Sequence, residues 1–342
     1  MTTKKFKFID LFAGIGGFHL ALESLGGECV FASEIDDKAR RTYHDNFGVF
    51  PFGDIRDITG ADKNDEMVRW SIPDHNILAG GFPCQPFSLA GVSSRNSLGL
   101  AHGLKDTTKG TLFFDICRIV EIKQPDVIFL ENVRNIISHD KGNTFKVIKK
   151  AIKEELGYSF FSTILSSETL VPQRRKRCFI VAFKENVNEF EFPVFDGPSK
   201  ALSTILENDV DEKYTLSDRG WAGHKRRNER NKLKGNGFSA VEADLSKPSN
   251  TIVARYYKDG KECLVPQTGK NPRMLTPREC ARLQGFPESY IMHPTRSAAY
   301  KQFGNAVTVP LIKEIGKKII NKLDELESLK TYSSTNNQKI AI

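Results

Sequence analysis

The sequence lacks any long apolar run. No stretch of about 18 consecutive apolar residues, the length that crosses a bilayer, occurs in the chain. Residues 1–5 lead directly into a candidate strand, without the apolar region of a signal peptide. These absences argue against a transmembrane helix and predict a cytoplasmic protein.

Cysteine and histidine are few and scattered. The six cysteines form no C-x-x-C pair, and the seven histidines do not cluster with them. Neither a disulfide framework nor a zinc site is expected, and the cysteines other than Cys84 are expected to be reduced and structural. Because no histidine falls in a recognisable partner motif for Cys84, the sequence also argues against a cysteine hydrolase.

The first candidate ligand loop lacks the glycine spacing of dinucleotide-binding proteins. Residues 7–9 lead into the segment 10–18, where the spacing is Gly14-x-Gly16-Gly17 rather than G-x-G-x-x-G. This difference argues against a nicotinamide-dependent dehydrogenase. A glycine turn between a strand and a helix nevertheless lets a ligand approach the backbone closely, and the helix N-terminus favours negative charge.

Two further strand ends carry acids suited to a nucleoside. Residues 30–36 predict a second strand that ends near Glu34, where an acid is placed to accept hydrogen bonds from ribose hydroxyls. Asp54 and Ile55 lie at a third strand end, and they suit an adenine amino group and ring face. Taken separately, these residues would be interpreted as turn residues and exposed acids.

The most informative residue is Cys84, which follows the apolar run 76–79. Such a run predicts a buried strand, and ligands of open α/β sheets bind beyond the carboxyl ends of the strands. Pro83 and Pro86 hold the intervening turn stiff, as a positioned nucleophile requires. The alternative is a buried structural cysteine, the commonest state of a free cysteine.

A second apolar run, 125–130, ends at Glu131. Residues 110–123 between the two runs have apolar positions at helical spacing, which predicts a right-handed strand, helix, strand unit. Cys84 and Glu131 would then lie at the same edge of the sheet. A lone glutamate after a strand is usually a solvated charge or a cap, but beside a cysteine Glu131 is a candidate acid.

Together these segments resemble, in order over almost the whole chain, the DNA (cytosine-5) methyltransferases of the bacterial restriction-modification type. The segment 10–18 resembles their cofactor loop, and 83–85 their nucleophile motif. Residues 131–133 match the catalytic acid motif and 173–177 the arginine motif. Residues 273–287 match the region before the last helix, and 304–307 with Pro310 match the closing cofactor motif. The resemblance implies an α/β fold: a Rossmann-like S-adenosylmethionine-dependent methyltransferase sheet, mixed and mostly parallel, with a second, smaller target-recognition domain.

The resemblance also implies the residues of the site, which are named here by role. The catalytic residues would be Cys84, Glu131, Arg175 and Arg177. S-adenosyl-L-methionine, which gives S-adenosyl-L-homocysteine as product, would contact Phe12, Gly14, Ile15, Gly16, Gly17, Glu34, Ile35, Asp54, Ile55, Pro83, Leu112, Asn305, Ala306 and Val307. DNA would contact Ser88, Arg95, Gln173, Lys225, Arg226, Arg227, Arg255, Tyr256 and Tyr257. No metal is expected.

The implied mechanism begins with extrusion of cytosine from the duplex. Cys84 would add to C6, Glu131 would neutralise charge at N3, and C5 would then take the methyl group. Arg175 and Arg177 would hold the O2 side of the base and the phosphate. No residue is identified as the base that removes the C5 proton.

The regular alternation of strands and helices stops near residue 190, where Pro, Gly, Asn and charged residues take over. We predict a catalytic, cofactor-binding domain over 1–190 and 296–328, a target-recognition domain over 191–295, and a mobile tail over 329–342. The Gly-rich stretch 89–109 predicts a mobile lid, with disorder as the alternative. The stretches 219–234 and 252–260 interleave basic residues with turns and aromatics, which suits DNA contact. A solvated basic helix is the alternative.

The predicted partner is double-stranded DNA. A net charge of +8 is consistent with a polyanion, and the length of the recognition insert favours DNA over transfer RNA. An RNA cytosine-5 methyltransferase and a non-catalytic DNA-binding relative remain the alternatives. The protein is expected to be a monomer without an obligate protein partner, and a cognate restriction endonuclease would act on the same site.

Overall fold

The computed structural model describes residues 6–60, 62–83, 112–235, 240 and 242–340. Cys84, Ser88 and Arg95, together with the predicted lid 89–109, lie outside the described residues. The strands are β1 (Lys7–Leu11), β2 (Glu28–Ser33), β3 (Ile77–Gly81), β4 (Val127–Val133), β5 (Ser159–Ser166), β6 (Gln173–Arg174), β7 (Lys176–Phe183), β8 (Ser249–Asn250), β9 (Leu264–Gln267) and β10 (Lys270–Met274).

Helices connect and cover the strands. The α-helices are α1 (Gly17–Glu23), α2 (Asp37–Phe47), α3 (Arg56–Thr59), α4 (Asp65–Ser71), α5 (Leu112–Lys123), α6 (Asn143–Lys150), α7 (Asp218–Leu233), α8 (Tyr256–Asp259), α9 (Pro277–Leu283), α10 (Arg296–Asn305) and α11 (Val309–Ile340). Short 3₁₀ turns occupy Arg134–Ile137, His139–Gly142, Leu202–Ile205 and Glu212–Tyr214, and a π turn occupies Ala151–Glu155.

The central sheet has six strands in the order β2-β1-β3-β4-β7-β5. The pairs from β2 to β4 are parallel, whereas β7 runs antiparallel to both β4 and β5. β3 and β4 are adjacent, and Gly81 lies opposite Glu131 at their carboxyl ends. The structure therefore confirms the predicted α/β sheet, mixed and mostly parallel.

The strands read as continuous apolar runs because both faces of the sheet are covered. Successive residues alternate between two cores: Phe129 packs in the cluster that includes α1 and α11, and Ile128 packs in the cluster that includes α5. Burial on both sides fixes the strand register, since a slip by one residue would exchange the two faces. The carboxyl ends of the central strands are thereby held at one edge.

The segment after residue 190 forms smaller elements. β9 and β10 make an antiparallel pair, and β8 pairs in parallel with β6. The β6–β8 ladder ties the predicted recognition domain to the chain that enters β7. The domain boundaries themselves stay predictions.

The predicted tail contains the end of α11, which continues to Ile340; that the tail is mobile stays a prediction. No glycine or proline follows Gly316, so nothing in the sequence breaks the helix. Lys330 also forms an ion pair with Glu185, at 2.6 Å. Within the described ranges, no helix is both long enough and apolar enough to cross a membrane.

Candidate active site

A cavity of about 670 Å³ lies at the carboxyl ends of β1 to β4. Its lining includes these predicted cofactor residues: Phe12, Gly14, Ile15, Gly17, Glu34, Ile35, Asp54, Ile55, Pro83, Leu112, Asn305, Ala306 and Val307. Glu131, Arg175, Arg177 and Arg255 line the same cavity. The cavity thus brings these predicted cofactor residues together with three of the four predicted catalytic residues, while Cys84 lies outside the described residues.

Gly16 is the predicted cofactor residue that does not line this cavity. Its φ is +80°, and a Cβ there would lie 2.2 Å from Cε2 of Phe47. The Phe47 ring stacks on His19 with centroids 3.9 Å apart. Gly16 therefore allows α2 to pack closely beneath the loop, and its contact with the cofactor stays a prediction.

Glu34 holds the cofactor loop in shape. Its two carboxylate oxygens accept hydrogen bonds from the backbone N–H groups of Gly14 and Asp36, each at 2.8 Å. Burial raises the pKa of Glu34, and these two donors partly oppose the rise. The left-handed φ values of Phe12 and Gly14, both +56°, turn the chain around this carboxylate. Glu34 is therefore fixed before any ligand binds.

Two ion pairs flank the cavity. Arg56 contacts Asp54 at 2.5 Å, and this hydrogen bond lowers the pKa of the Asp54 carboxyl. Lys301 on α10 contacts Asp36 at 2.5 Å. Both basic residues line the cavity, and the sequence analysis missed both. Neither belongs to a recognisable motif, and the partner of Lys301 is distant in sequence.

Glu131 and Arg177 form the ion pair at the other end of the cavity. Arg177 Nε lies 2.9 Å from Glu131 Oε1, and both side chains are largely buried. The pairing of β4 with β7 places Val133 opposite Arg177, so Glu131 and Arg177 are diagonal neighbours on one face. Burial raises the pKa of Glu131, and the charges of Arg177 and Arg175 oppose this rise. The net effect is a pKa of Glu131 above the usual value of a glutamate.

Asn132 forms a hydrogen bond with the backbone just before Cys84. Its side chain donates a hydrogen bond to the carbonyl of Phe82 at 2.8 Å, and its Oδ1 accepts from the N–H of Val133. Asn132 is 2% exposed. Asn132 falls within the predicted acid motif 131–133, but the sequence pattern assigns it no role.

Arg175 differs from Arg177 in its contacts. Its guanidinium donates to three backbone carbonyls, those of Ile252, Gly304 and Ala306, at 2.9 to 3.2 Å. Burial, together with the charge of Arg177, lowers the pKa of Arg175 to about 9. Arg175 therefore contacts the protein backbone with both terminal nitrogens, and its predicted contact with the base or phosphate stays a prediction.

Two of the predicted DNA contacts need correction. Gln173 is fully buried, and its amide bonds the backbone of Ile252 and Leu283. Tyr256 is also fully buried, and its hydroxyl bonds the backbone of Cys263 and Leu275. Neither side chain can reach DNA without unfolding its surroundings, because both are buried and their polar groups already form hydrogen bonds with the backbone.

The other described candidates for DNA contact are exposed. Arg255 lies at the cavity, and the Tyr257 side chain beside it is 40% exposed. On α7, Arg227 forms an ion pair with Asp259 at 2.9 Å, and Lys225 lies over the Trp221 ring. Lys225, Arg226 and Arg227 are all exposed. These positions remain candidates for contact with a polyanion.

Comparison with known proteins identifies the relatives of this arrangement. The model of the family described as C-5 cytosine-specific DNA methylase matches residues 6–321. Type II methyltransferase M.SsoII of Shigella sonnei is 48% identical over 94% of this chain and 81% of its own length. Type II methyltransferase M.DsaV of Dactylococcopsis salina is 45% identical over 97% of this chain and 91% of its own length.

A solved structure shows the same fold. The Entamoeba histolytica methyltransferase EhMeth superposes with a TM-score of 0.69 at 20% identity, covering 94% of this chain and 99% of that chain. The family match extends through both the sheet and the recognition segment. The chain therefore belongs to the C-5 cytosine-specific DNA methylase family, and it is a DNA cytosine methyltransferase.

Proposed function

We propose that this enzyme methylates C5 of a cytosine flipped out of double-stranded DNA, through a covalent bond between Cys84 and C6 of the base. The observation that carries the proposal is one cavity with the Glu34 carboxylate at one end and the Glu131–Arg177 pair at the other. A methyl donor and an extruded base would meet there in reacting geometry.

The cofactor end fits S-adenosylmethionine, which supplies a sulfonium methyl group when bound. Each Glu34 oxygen accepts a backbone hydrogen bond and keeps a further lone pair that can accept from a ribose hydroxyl. Ile55 and Phe12 offer apolar surface beside Asp54. The Asp54 carboxylate can accept from an adenine amino group while Arg56 holds it in place.

Cys84 is assigned as the nucleophile partly by elimination. The five other cysteines are buried or half-buried. Burial raises the pKa of every one of these thiols, to about 12 in Cys29, Cys178 and Cys263, and well above the usual value in Cys117 and Cys280. Because the thiolate is the nucleophilic form, these five are not prepared to attack cytosine.

The reaction then follows from the residues at the catalytic end. Addition of the Cys84 thiolate to C6 makes C5 nucleophilic, and Glu131 gives its proton to N3 as charge develops there. Arg177 holds the Glu131 carboxyl and faces the O2 side of the base. After C5 takes the methyl group, its proton leaves to solvent, N3 returns its proton to Glu131, and the Cys84–C6 bond breaks.

The recognition segment supplies the DNA contacts. Lys225 and Arg226 on α7 would contact phosphates, while Arg255, which lines the cavity, and the exposed Tyr257 would contact base edges. We further propose that the enzyme reads a specific sequence as the modification half of a restriction-modification system. Its curated relatives carry the name Type II methyltransferase. It would act as a monomer.

Transfer of labelled methyl from S-adenosylmethionine tests this function. Duplex DNA should accept label, and transfer RNA should not. Bisulfite sequencing of the methylated DNA should place all label at one cytosine of one short sequence. Label in transfer RNA alone would support the alternative substrate and contradict the proposal.

The Glu34→Ala protein should bind S-adenosylhomocysteine at least roughly tenfold more weakly, because hydrogen bonds to a charged acceptor each contribute about 1.5–3 kcal/mol. Calorimetry without DNA measures this affinity. Glu28→Ala, at an exposed glutamate of the same strand, is the matched control and should bind normally. Unchanged affinity in a folded Glu34→Ala protein would show that Glu34 does not contact the cofactor.

A further inference from the structure

Two side chains bind the backbone of Ile252, the residue that precedes the cavity-lining segment 253–255. Gln173 Oε1 accepts the N–H of Ile252 at 2.9 Å, and Arg175 Nη1 donates to the carbonyl of the same residue at 3.1 Å. Ile252 is fully buried. Two side chains of the arginine motif thus satisfy both polar backbone groups of one residue in the recognition segment.

The same guanidinium also binds the closing cofactor motif. Arg175 Nη2 donates to the carbonyls of Gly304 and Ala306, at 3.2 and 2.9 Å. Ala306, a predicted cofactor contact, lines the cavity together with Val253 and Ala254, which follow Ile252 and precede the predicted DNA contact Arg255. One buried guanidinium therefore joins the segment that would lie beside the DNA to the segment that would lie beside the cofactor.

Close backbone contact reinforces this joint. A Cβ on Gly304 would lie 2.3 Å from the carbonyl carbon of Val253 and 2.5 Å from the N atom of Ala254. No L side chain fits between these two backbones without moving one of them. The arrangement around Arg175 is thus a single packed unit, and neither segment can shift alone.

We propose that Arg175 is a positioning residue, which together with Gln173 aligns the cavity-lining segment 253–255 with the closing motif 304–306. This inference rests on the proposed function, because it concerns how DNA and cofactor are brought together. Arg177, which contacts Glu131, keeps the catalytic role. Since both ligands contact segments joined by Arg175, each ligand favours the same arrangement, and their binding is coupled.

Coupling is measured as the factor by which S-adenosylhomocysteine tightens binding of a duplex that contains the site mapped by bisulfite sequencing. The wild-type factor should be on the order of tenfold. Arg175→Lys keeps the charge but loses the planar guanidinium group with its several N–H donors. The coupling factor of this variant should fall towards one. Arg177→Lys is the matched control: its kcat should fall while the coupling factor stays at the wild-type value.

Gly304→Ala tests the same joint without changing any charge. It should also lower the coupling factor, whereas Gly197→Ala, at a glycine with open space around it, should not. Thermal melting reports whether each variant folds. A wild-type factor of one, or an unchanged factor in both folded Arg175→Lys and Gly304→Ala, would overturn the inference. Methyl transfer to DNA by the wild type would still stand, so the two failures are distinguishable.

Discussion

The wild-type protein should be trapped covalently on a duplex whose target cytosine carries fluorine at C5, and the Cys84→Ala protein should not. After addition to C6 and methyl transfer, the adduct resolves only by losing the C5 substituent as a cation. Fluorine cannot leave in that way. A denaturation-resistant complex that requires S-adenosylmethionine should therefore accumulate on gels, and peptide mapping should find the modified residue at Cys84.

The control for this experiment is Cys29→Ala. Cys29 is half-buried, and its Sγ lies 3.4 Å from the carbonyl of Phe31, so its removal changes a thiol without touching the proposed nucleophile. Cys29→Ala should form the adduct at normal yield. Cys84→Ala should still bind the duplex, because the basic contacts remain. A normal adduct from Cys84→Ala would assign the nucleophile to another cysteine.

The Glu131→Gln protein should lose about a hundredfold or more in kcat, the usual contribution of a positioned general acid. The amide has nearly the same size but cannot give a proton to N3. Cofactor affinity should be retained, since Glu34 and Asp54 are untouched. Glu121→Gln, at an exposed glutamate on α5, should turn over normally. A Glu131→Gln protein with wild-type kcat would remove Glu131 from the mechanism.

The same prediction extends to pH. Burial raises the pKa of Glu131, so its carboxyl stays protonated to a higher pH than an exposed glutamate would. Activity that needs this proton should fall on the alkaline side, as the pH rises through the raised pKa of Glu131. The falling limb of kcat against pH should be absent in Glu131→Gln, because no proton is lost there. A falling limb that is unchanged in this variant would assign it to another group.

The order of the family motifs along the chain was enough to predict the central sheet and a ligand site at the carboxyl ends of its strands. Strand ends carry ligand residues in this kind of fold, so Glu34 and Glu131 could be located from the apolar runs that precede them. The predicted third strand end at Asp54 is wrong, because only an isolated bridge at Phe52 precedes this residue, although Asp54 does line the cavity. The family supplied the roles of all three acids. The Lys301–Asp36 pair could not be predicted, because Lys301 on α10 and Asp36 at the start of α2 are 265 residues apart and meet only through tertiary packing.

The arginine motif shows why sequence alone misassigns neighbouring residues. Arg175 lies in the break between β6 and β7, and its N–H bonds the carbonyl of Gln173 at 3.0 Å. Strand alternation therefore does not extend through it, and Arg175 and Arg177 face different partners. Tyr256 similarly begins α8, a single helical turn that is too short for a periodicity to indicate that Tyr256 is buried and Tyr257 is exposed.

The attachment of the recognition segment has a consequence for how such enzymes diversify. Gln173 and Arg175 bind main-chain atoms of Ile252, so the joint does not require particular base-reading side chains in the residues that follow. A recognition segment with different base-contacting residues can form the same hydrogen bonds with Gln173 and Arg175, provided that its backbone still passes close to Gly304. Substitutions that change sequence specificity would therefore fall at other positions than substitutions that break the contacts between the predicted recognition segment and the catalytic domain.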